Sequence, residues 1–394
     1  MNYYAPTEKK KTAADSGKAE GMAARIIGST PKQDGFWMPG EFEEQEQVWM
    51  IWPERSDNWR NGGKNAQEAF SEVAKAISRF AGVVMLTSAA QYENCRNRLP
   101  QQIAVVEMSS NDAWARDMGP TFLINGRGEL RACDWKFNAW GGLYDGLYFP
   151  WNLDDQIAGK ICELERIDSY RTENFILEGG SIHVDGEGTV LTTEMCLLSE
   201  GRNPHLSKQQ IEEMLCSYLN CSKVLWLKDG IDPQETNGHI DDVACFVRPG
   251  EVACIFTDRE QSPFYETARQ IYEQLSHMTD TKGRRLKVHR VCCPKEEVRI
   301  GEGFRLDHTA GSIPRKPGDL CVASYLNFLI VNDGVIVPQY GDENDNLALE
   351  QIQKLFPDKK AVGVFTREIV YGGGNIHCIT QQQPKRRKIE GGSL

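Results

Sequence analysis

Cys378 is the residue whose type and surroundings most clearly indicate chemistry. It ends residues 372–378 (GGGNIHC), where three consecutive glycines would let a ligand approach the backbone closely. A nearly identical segment, residues 179–184 (GGSIHV), occurs about half a chain earlier with Val184 in place of the cysteine. The pattern predicts that one local structure is built twice, and that the second copy carries a nucleophilic thiol.

A cysteine nucleophile needs a partner that moves protons, and His239 is the candidate. It follows Gly238 directly ahead of an apolar strand, where a loop-to-strand junction would expose its imidazole. Asp241 lies two residues further on, so on an extended backbone its side chain points to the same side. A short His-x-Asp pattern equally fits a metal-binding histidine or one that is hydrogen-bonded in the core.

Two further carboxylates lie beside glycines or turns. Asp117 precedes a Gly-Pro turn and a strand, and Glu178 precedes the first glycine of the earlier repeated segment. Trp114 could stack over a cation, or it could simply pack in the core. Asp117 could likewise do no more than cap its turn.

Together these segments offer one thiol, one imidazole and three carboxylates. The negative charge of the carboxylates would raise the pKa of a thiol and weaken it, which is unsuited to a protease. A cationic substrate removes the difficulty, because a guanidinium pairs with two carboxylates and its charge favours the thiolate. The residues therefore predict a guanidinium-bearing substrate.

The composition is that of a soluble globular protein. The 394 residues are 40% hydrophobic and 26% charged, and the net charge of −11 disfavours nucleic acid as a partner. This charge fits either a cationic ligand or solubility alone. The sequence shows no run long enough to span a membrane and no secretory signal, and its twelve scattered cysteines indicate reduced thiols. We therefore expect a cytoplasmic protein.

Helical and strand-like patterns alternate along the chain. Helical periodicity is present at residues 70–80, 211–218, 264–275 and 347–356. Hairpin signals occur at residues 182–191, 243–256 and 328–337, each around a glycine-containing turn. Units of strand, turn, strand and helix recur about every 65–80 residues, which indicates radial or stacked repetition within one α/β domain.

We predict a single domain at residues 35–384, between a flexible N-terminal tail at 1–34 and a flexible basic C-terminal tail at 385–394. The basic cluster at residues 385–388 resembles a nuclear localisation signal, although such runs are also common in solvated tails. The tryptophan-rich segment from Trp49 to Trp59 could form a subunit interface or part of the core.

Five segments, taken in order, resemble the agmatine deiminases of the guanidine-modifying (pentein) superfamily. They are residues 36–42 (FWMPGEF), 114–120 (WARDMGP), 177–186 (LEGGSIHVDG), 238–241 (GHID) and 372–378 (GGGNIHC). The resemblance covers residues 35–384 and implies an α/β fold, a five-bladed pseudo-symmetric β/α propeller in one domain. Met118 departs from the family pattern, in which a small polar residue is more usual.

The resemblance also implies a catalytic role for each matching residue. Cys378 is expected to be the nucleophile and His239 the general acid and base. Asp117 and Asp241 would hold the guanidinium group of the substrate. Glu178 would support and orient His239.

The same resemblance implies hydrolysis of agmatine to N-carbamoylputrescine and ammonia through a covalent S-alkylthiouronium intermediate, in putrescine and polyamine biosynthesis. Trp114 would line the pocket. Apart from the resemblance, we expect Gly373 and Glu235 to contact the substrate, with Glu235 one candidate among several acids for its distal ammonium. No metal or organic cofactor is expected. The expected partners are the substrate and a second copy of the chain in a homodimer, with neither nucleic acid nor a membrane.

Three other functions fit parts of the sequence. A sister deiminase acting on free or peptidyl arginine would need an arginine or a hydrogen-bond donor for the substrate's carboxylate or carbonyl. A non-catalytic guanidine- or polyamine-binding module would keep the fold, although the cysteine and the histidine are both present. A metal-dependent hydrolase would take its ligands from His183, His239, His377 and nearby acids, without a recognised metal motif.

Overall fold

Strands are the most numerous secondary-structure elements of this fold. The computed structural model describes residues 23–386. The strands in that range are β1 Phe36–Trp37, β2 Gln45–Ile51, β3 Gly82–Thr87, β4 Ala104–Glu107, β5 Thr121–Asn125, β6 Leu130–Lys136, β7 Ser169–Ile176, β8 His183–Val184, β9 Thr189–Thr193, β10 Lys223–Leu227, β11 Ala244–Arg248, β12 Glu251–Phe256, β13 Lys287–Cys292, β14 Leu329–Val331, β15 Gly334–Gln339, β16 Lys360–Phe365 and β17 Gln381–Pro384.

Helices connect the strands. All four helices predicted from the sequence are present, and they are α2, α8, α9 and α10 as defined in the next sentence. The helices are α1 Pro31–Asp34, α2 Lys64–Ile77, α3 Tyr92–Arg98, α4 Ala115–Met118, α5 Gly142–Asp145, α6 Ile157–Glu165, α7 Glu194–Leu197, α8 Lys208–Tyr218, α9 Tyr265–His277, α10 Asp345–Leu355 and α11 Arg367–Val370. Helix α8 begins with a capping box, in which Ser207 and Gln210 satisfy each other's backbone N–H groups. The predicted apolar face of α2 is fully buried at Phe70, Val73 and Ile77.

The strands of the described range form five sheets that repeat one arrangement. In four of them an antiparallel hairpin is followed by a helix and a parallel third strand, as in β5–β6–β7, β8–β9–β10, β11–β12–β13 and β14–β15–β16. The three hairpins predicted at residues 182–191, 243–256 and 328–337 are all present. The five-bladed β/α propeller is thereby confirmed.

The fifth sheet joins the two ends of the chain. Strand β17 pairs antiparallel with β2, and β2 and β3 then continue the sheet in parallel to β4. The pairing places Gln381 opposite Trp49, so the segment that carries Cys378 lies beside the N-terminal blade. Trp49, Trp52 and Trp59 are each only 1% exposed, which assigns the tryptophan-rich segment to the core.

Secondary structure begins before the predicted domain boundary at residue 35. Thr30 caps helix α1 at Pro31–Asp34, and Ile26 forms a parallel bridge with Ser169. Residues 26–34 therefore pack on the body of the molecule, because backbone pairing and a capped turn satisfy their polar groups. The remainder of the N-terminal tail, residues 1–22, and the end of the basic tail, residues 387–394, lie outside the described residues.

The cysteines all lie in the described range, and all twelve are free thiols, including the adjacent Cys292 and Cys293. Ten of them are buried, where a thiol packs as a small apolar side chain. Between residues 23 and 386, no helix combines the length and the apolar character that crossing a lipid bilayer requires.

Candidate active site

The thiol of Cys378 lies at the end of a glycine-rich turn that follows α11. Asn327 holds this turn in place, since its Oδ1 accepts hydrogen bonds from the backbone N–H groups of His377 at 2.9 Å and Cys378 at 3.3 Å. Its Nδ2 donates to Cys378 Sγ at 3.1 Å. A Cβ atom at Gly374 would lie 3.0 Å from the same sulfur, so glycine is needed there for space.

Negative charge surrounds this thiol, as the sequence predicted. Asp241 Oδ2 lies 3.7 Å from Cys378 Sγ. Burial raises the pKa of Cys378 well above its usual value, and the carboxylates of Asp241, Asp242 and Asp117 raise it further. The cysteine is therefore held as a neutral thiol until a positive charge reaches it.

His239 is completely buried at the start of a 3₁₀ turn, Ile240–Asp242. Its Nε2 faces Glu178 Oε2 at 3.7 Å, and its Nδ1 faces Asp117 Oδ2 at 4.0 Å. Burial alone would lower the pKa of His239, but Asp117, the thiol of Cys196 and Glu178 raise it well above its usual value. The ring is therefore held as an imidazolium, the form that can donate a proton.

Glu178 is anchored from the opposite side by a buried arginine. Arg202 Nε donates to Glu178 Oε1 at 2.9 Å, and Arg202 Nη2 donates to the carbonyl of Thr236 at 2.7 Å. Burial would raise the pKa of Glu178, but the charges of Arg202 and His239 lower it. Glu178 thus stays ionised beside the imidazole, which fits its predicted role of supporting His239.

Asp117 is fixed by two donors. Trp140 Nε1 donates to its Oδ2, and the backbone N–H of Gly180 donates to its Oδ1, at 2.8 and 2.9 Å. Burial raises the pKa of Asp117, with further rises from Asp241 and Glu178, while His239 opposes the shift. A cationic ligand would relieve the repulsion among these carboxylates.

Gly180 is the point where the histidine and the two aspartates meet. A Cβ atom there would lie 2.6 Å from His239 Nδ1, 2.9 Å from Asp117 Oδ1 and 3.0 Å from Asp241 Oδ2. Residues that are far apart in the sequence therefore converge on one backbone position. The glycine of the earlier repeated segment supplies space for the site rather than an unusual backbone conformation.

A pocket of about 780 Å³, including its open mouth, leads to Cys378 and Asp117. Trp114 lines it as predicted, with its ring 5.2 Å from that of Trp59 and its Nε1 donating to Asp112 Oδ2 at 3.2 Å. The carboxylates on the wall are Asp57, Asp112, Asp117, Glu235 and Asp319. An apolar wall with several acids suits a substrate with an alkyl chain and positive charge.

Gly373 and Glu235 also line the pocket, but Glu235 is already paired. Arg315 Nε donates to Glu235 Oε1 at 3.0 Å, and Arg315 Nη2 bonds to its Oε2. Gly373 has φ of +110°, and a Cβ atom there would collide with Arg315. Glu235 therefore does not present a free negative charge to the pocket.

The structure brings together Cys378, His239, Glu178, Asp117 and Asp241, and it adds residues that the motifs did not indicate. Asn327 and Arg202 carried no sequence signal, because each acts through a partner that is distant in the chain. The departure at Met118 has no effect on the pocket, since its side chain is buried in the core.

The three histidines of the metal-hydrolase alternative do not converge on one point. Across residues 23–386, two groups have the types and spacing of metal ligands. One combines Glu41, His183 and His377, and the other combines His239 with Glu178 and Cys196. His239 is thus separated from the other two histidines, so the three histidines and their nearby acids do not form a single set of ligands.

Comparison with known proteins agrees with this geometry. The family model of the Porphyromonas-type peptidyl-arginine deiminases matches residues 37–384. A solved structure of the agmatine deiminase of Enterococcus faecalis, described as catalysing its reaction, is 68% identical with a TM-score of 0.92, covering 93% of this chain and 100% of that one. The agmatine deiminase of Pseudomonas aeruginosa is 54% identical over 362 residues, which is 91% of this chain and 98% of that protein.

A more distant structure has the same fold. The agmatine deiminase of C. jejuni, solved as a cysteine-to-serine variant with substrate bound, is 28% identical with a TM-score of 0.75 and covers 90% of this chain and 97% of that one. The family model and the close relatives each span nearly all of the described range. The chain therefore belongs to the Porphyromonas-type peptidyl-arginine deiminase family, within its agmatine deiminase branch.

Proposed function

We propose that this enzyme hydrolyses agmatine to N-carbamoylputrescine and ammonia, with Cys378 as the covalent nucleophile. The observation that carries the proposal is the meeting of the Cys378 thiol with two ionisable carboxylates: Asp117 lines the pocket together with Cys378, and Asp241 Oδ2 lies 3.7 Å from the sulfur. A planar guanidinium can pair with both carboxylates, and its reactive carbon then lies beside the sulfur.

The first half of the reaction forms the covalent intermediate. The guanidinium brings positive charge next to Cys378, so the thiol loses its proton to solvent and the thiolate attacks the guanidinium carbon. The tetrahedral adduct then collapses when the imidazolium of His239 donates its proton to the departing nitrogen. Ammonia leaves, and an S-alkylthiouronium cation remains on Cys378.

The second half uses the histidine in its neutral form. His239 removes a proton from a water molecule, and the resulting hydroxide adds to the same carbon. The new hydroxyl group passes its proton to the sulfur as the C–S bond breaks, which returns the neutral thiol of Cys378 and releases the ureido product. Asp117 and Asp241 stabilise the positive charge throughout. Glu178 helps to keep the pKa of His239 raised, so the ring is an imidazolium again at the start of the next cycle.

Deimination of arginine is a second candidate, and one observation favours it. Arg315 lines the pocket and could bind the carboxylate that distinguishes arginine from agmatine. Its bidentate pair with Glu235 opposes this, because the pair carries no net charge towards the substrate. We therefore place agmatine first.

Ammonia release from agmatine and from arginine tests the proposal. The comparison uses wild type, Cys378→Ala and the control Cys254→Ala, which removes a buried thiol from strand β12 away from the pocket. We expect release from agmatine in wild type and in the control, none in Cys378→Ala, and little from arginine. Release from neither substrate would indicate a binding module, and full activity in Cys378→Ala would rule out the covalent mechanism.

We propose a cytoplasmic homodimer that acts in putrescine and polyamine formation, without nucleic acid or membrane partners. Twelve free thiols suit a reducing compartment. The exposed apolar side chains of Leu143, Tyr144 and Phe149 offer a surface that a second copy could cover. Light scattering on the purified protein tests the assembly, and a monomer mass would contradict it.

A further inference from the structure

Two histidines from the repeated segments meet on one buried glutamate. His377 Nε2 lies 2.9 Å from Glu41 Oε2, and His183 Nε2 lies 3.6 Å from the same oxygen. Their rings are stacked, with centroids 6.3 Å apart. Glu41 is held in place by the backbone N–H of Ile330, which donates to its other oxygen at 2.8 Å. The proposed reaction assigns no role to this cluster.

The hydrogen-bond partners indicate which ring nitrogens carry protons. The backbone N–H of Phe246 donates to His183 Nδ1 at 3.2 Å, so the proton of a neutral His183 ring lies on Nε2, facing Glu41. A protonated Nε2 has no free lone pair for a metal ion. The group of Glu41, His183 and His377 is therefore better described as a hydrogen-bonded network than as a metal centre.

His377 connects this network to the active site. Its Nδ1 lies 2.8 Å from Asp241 Oδ2, while its Nε2 faces Glu41. Both ring nitrogens thus face carboxylate oxygens and both donate, which requires an imidazolium. His183 has no such link in the described part of the chain, because its second nitrogen accepts from the backbone.

The two carboxylate oxygens of Asp241 therefore differ: one is bonded to His377 and the other has no hydrogen-bond partner among the described residues. Oδ2 is bonded to His377 and also lies 3.7 Å from Cys378 Sγ, whereas Oδ1 is buried and has no hydrogen-bond partner within residues 23–386. A buried carboxylate oxygen without a partner is costly unless a ligand completes it. Binding of the guanidinium at Oδ1 would supply the missing hydrogen bond.

The charges around Asp241 come from several elements. Burial would raise the pKa of Asp241, but the hydrogen bond and the charge of His377 lower it, with help from His239 and Arg116. The titratable and charged groups that influence Asp241 or are influenced by it are Arg116, Asp117, Asp232, His239, Asp242, Cys245, His377 and Cys378.

We propose that His377, anchored by Glu41, is a positioning residue that fixes the carboxylate of Asp241 for the substrate guanidinium, an inference that rests on the proposed function. The imidazolium holds Oδ2 in place beside the sulfur of Cys378 and so fixes the orientation of the whole carboxylate. Arg116 contributes from the other side, where its Nε donates to the carbonyl of His377 at 3.3 Å.

The test measures ammonia release from agmatine over about pH 3 to 9 in wild type, His377→Gln, Glu41→Gln and His183→Gln. We expect His377→Gln to lower kcat/KM by about 10- to 100-fold, mainly through a higher KM, because Asp241 loses a charge-assisted hydrogen bond. The acid limb of the kcat/KM profile should move to higher pH, since Asp241 then protonates more readily. Glu41→Gln should move it in the same direction by less.

His183→Gln is the matched control. It alters the same buried cluster without touching Asp241, so we expect the KM and the acid limb of wild type. A wild type inactive with agmatine would refute the proposed function instead. With an active wild type, folded His377→Gln or Glu41→Gln variants that keep the wild-type KM and acid limb would overturn the positioning role.

A measurement on wild type covers the case in which the variants do not fold. Nitrogen NMR of ¹⁵N-histidine-labelled protein at about pH 8 should show His377 with both ring nitrogens protonated, above the usual range of histidine. Circular dichroism and thermal melting establish which variants are folded. A neutral His377 ring at this pH would overturn the proposal.

Discussion

Arg315 pairs with Glu235 in the lining of the pocket, through Nε and Oε1 at 3.0 Å and a second contact between Nη2 and Oε2. The two residues are 80 positions apart in the chain, and neither is fully buried. Arg315 also donates to Asn58 Oδ1. The pair therefore neutralises Arg315, an arginine of the pocket lining that could otherwise bind a substrate carboxylate.

Removal of the Glu235 charge should change substrate preference. We expect Glu235→Gln to raise the ratio of arginine to agmatine turnover, because Arg315 would then be free to bind the carboxylate of arginine. The ratio of arginine to agmatine turnover should rise by about 10-fold or more, which is the effect expected from gaining one charge-assisted hydrogen bond. Ammonia release from both substrates measures it.

Asp319→Asn is the control for Glu235→Gln. It removes another carboxylate from the wall of the pocket, one that accepts a hydrogen bond from the backbone of Lys316. We expect the substrate ratio of wild type in this variant. If both variants changed the ratio equally, the effect would come from net charge and not from the Arg315 pair.

Gly180→Ala should abolish activity while leaving the protein folded. The added methyl group would lie within about 3 Å of His239, Asp117 and Asp241, so these side chains would have to move. Overpacking of this kind costs roughly 1–3 kcal/mol of folding free energy. A melting curve and an activity assay measure the two effects.

Gly126→Ala serves as the comparison for Gly180→Ala. This glycine lies in the turn between β5 and β6, and its Cβ would meet nothing within 4 Å. We expect normal activity there. Normal activity in Gly180→Ala as well would show that the site tolerates displacement of its histidine and aspartates.

Glu178→Gln should shift the alkaline limb of the kcat/KM profile to lower pH. Glu178 helps to raise the pKa of His239, so without this charge the imidazolium loses its proton earlier as the pH rises. Stability should also fall, by roughly 3–5 kcal/mol, because Arg202 is left as an uncompensated buried charge. Activity against pH and denaturant unfolding measure these changes.

Glu187→Gln provides the control for Glu178→Gln. Glu187 pairs with Lys282 and Arg284 at the surface, where ion pairs contribute little. We expect an unchanged pH profile and a small effect on stability. An alkaline limb that stayed in place in Glu178→Gln would mean that Asp117 and Cys196 alone set the pKa of His239.

Much of the fold could be predicted because its signals are local. Alternation of apolar residues and glycine-containing turns defined three hairpins, and helical periodicity defined α2, α8, α9 and α10. The helix at residues 31–34 was not predicted, because α1 has a good cap but too few apolar residues to give a periodic pattern. The pairing of β17 with β2 had no local signal at all.

The sequence alone determined which residues could do chemistry, since a thiol, an imidazole and carboxylates beside glycines are recognisable from residue type and spacing. Only the tertiary structure decided how they meet. Asn327 reaches Cys378 across 51 residues, and Arg315 neutralises Glu235 across 80. Such contacts depend on how different blades pack around one centre. The burial that results shifts the pKa of each group and so decides its charge.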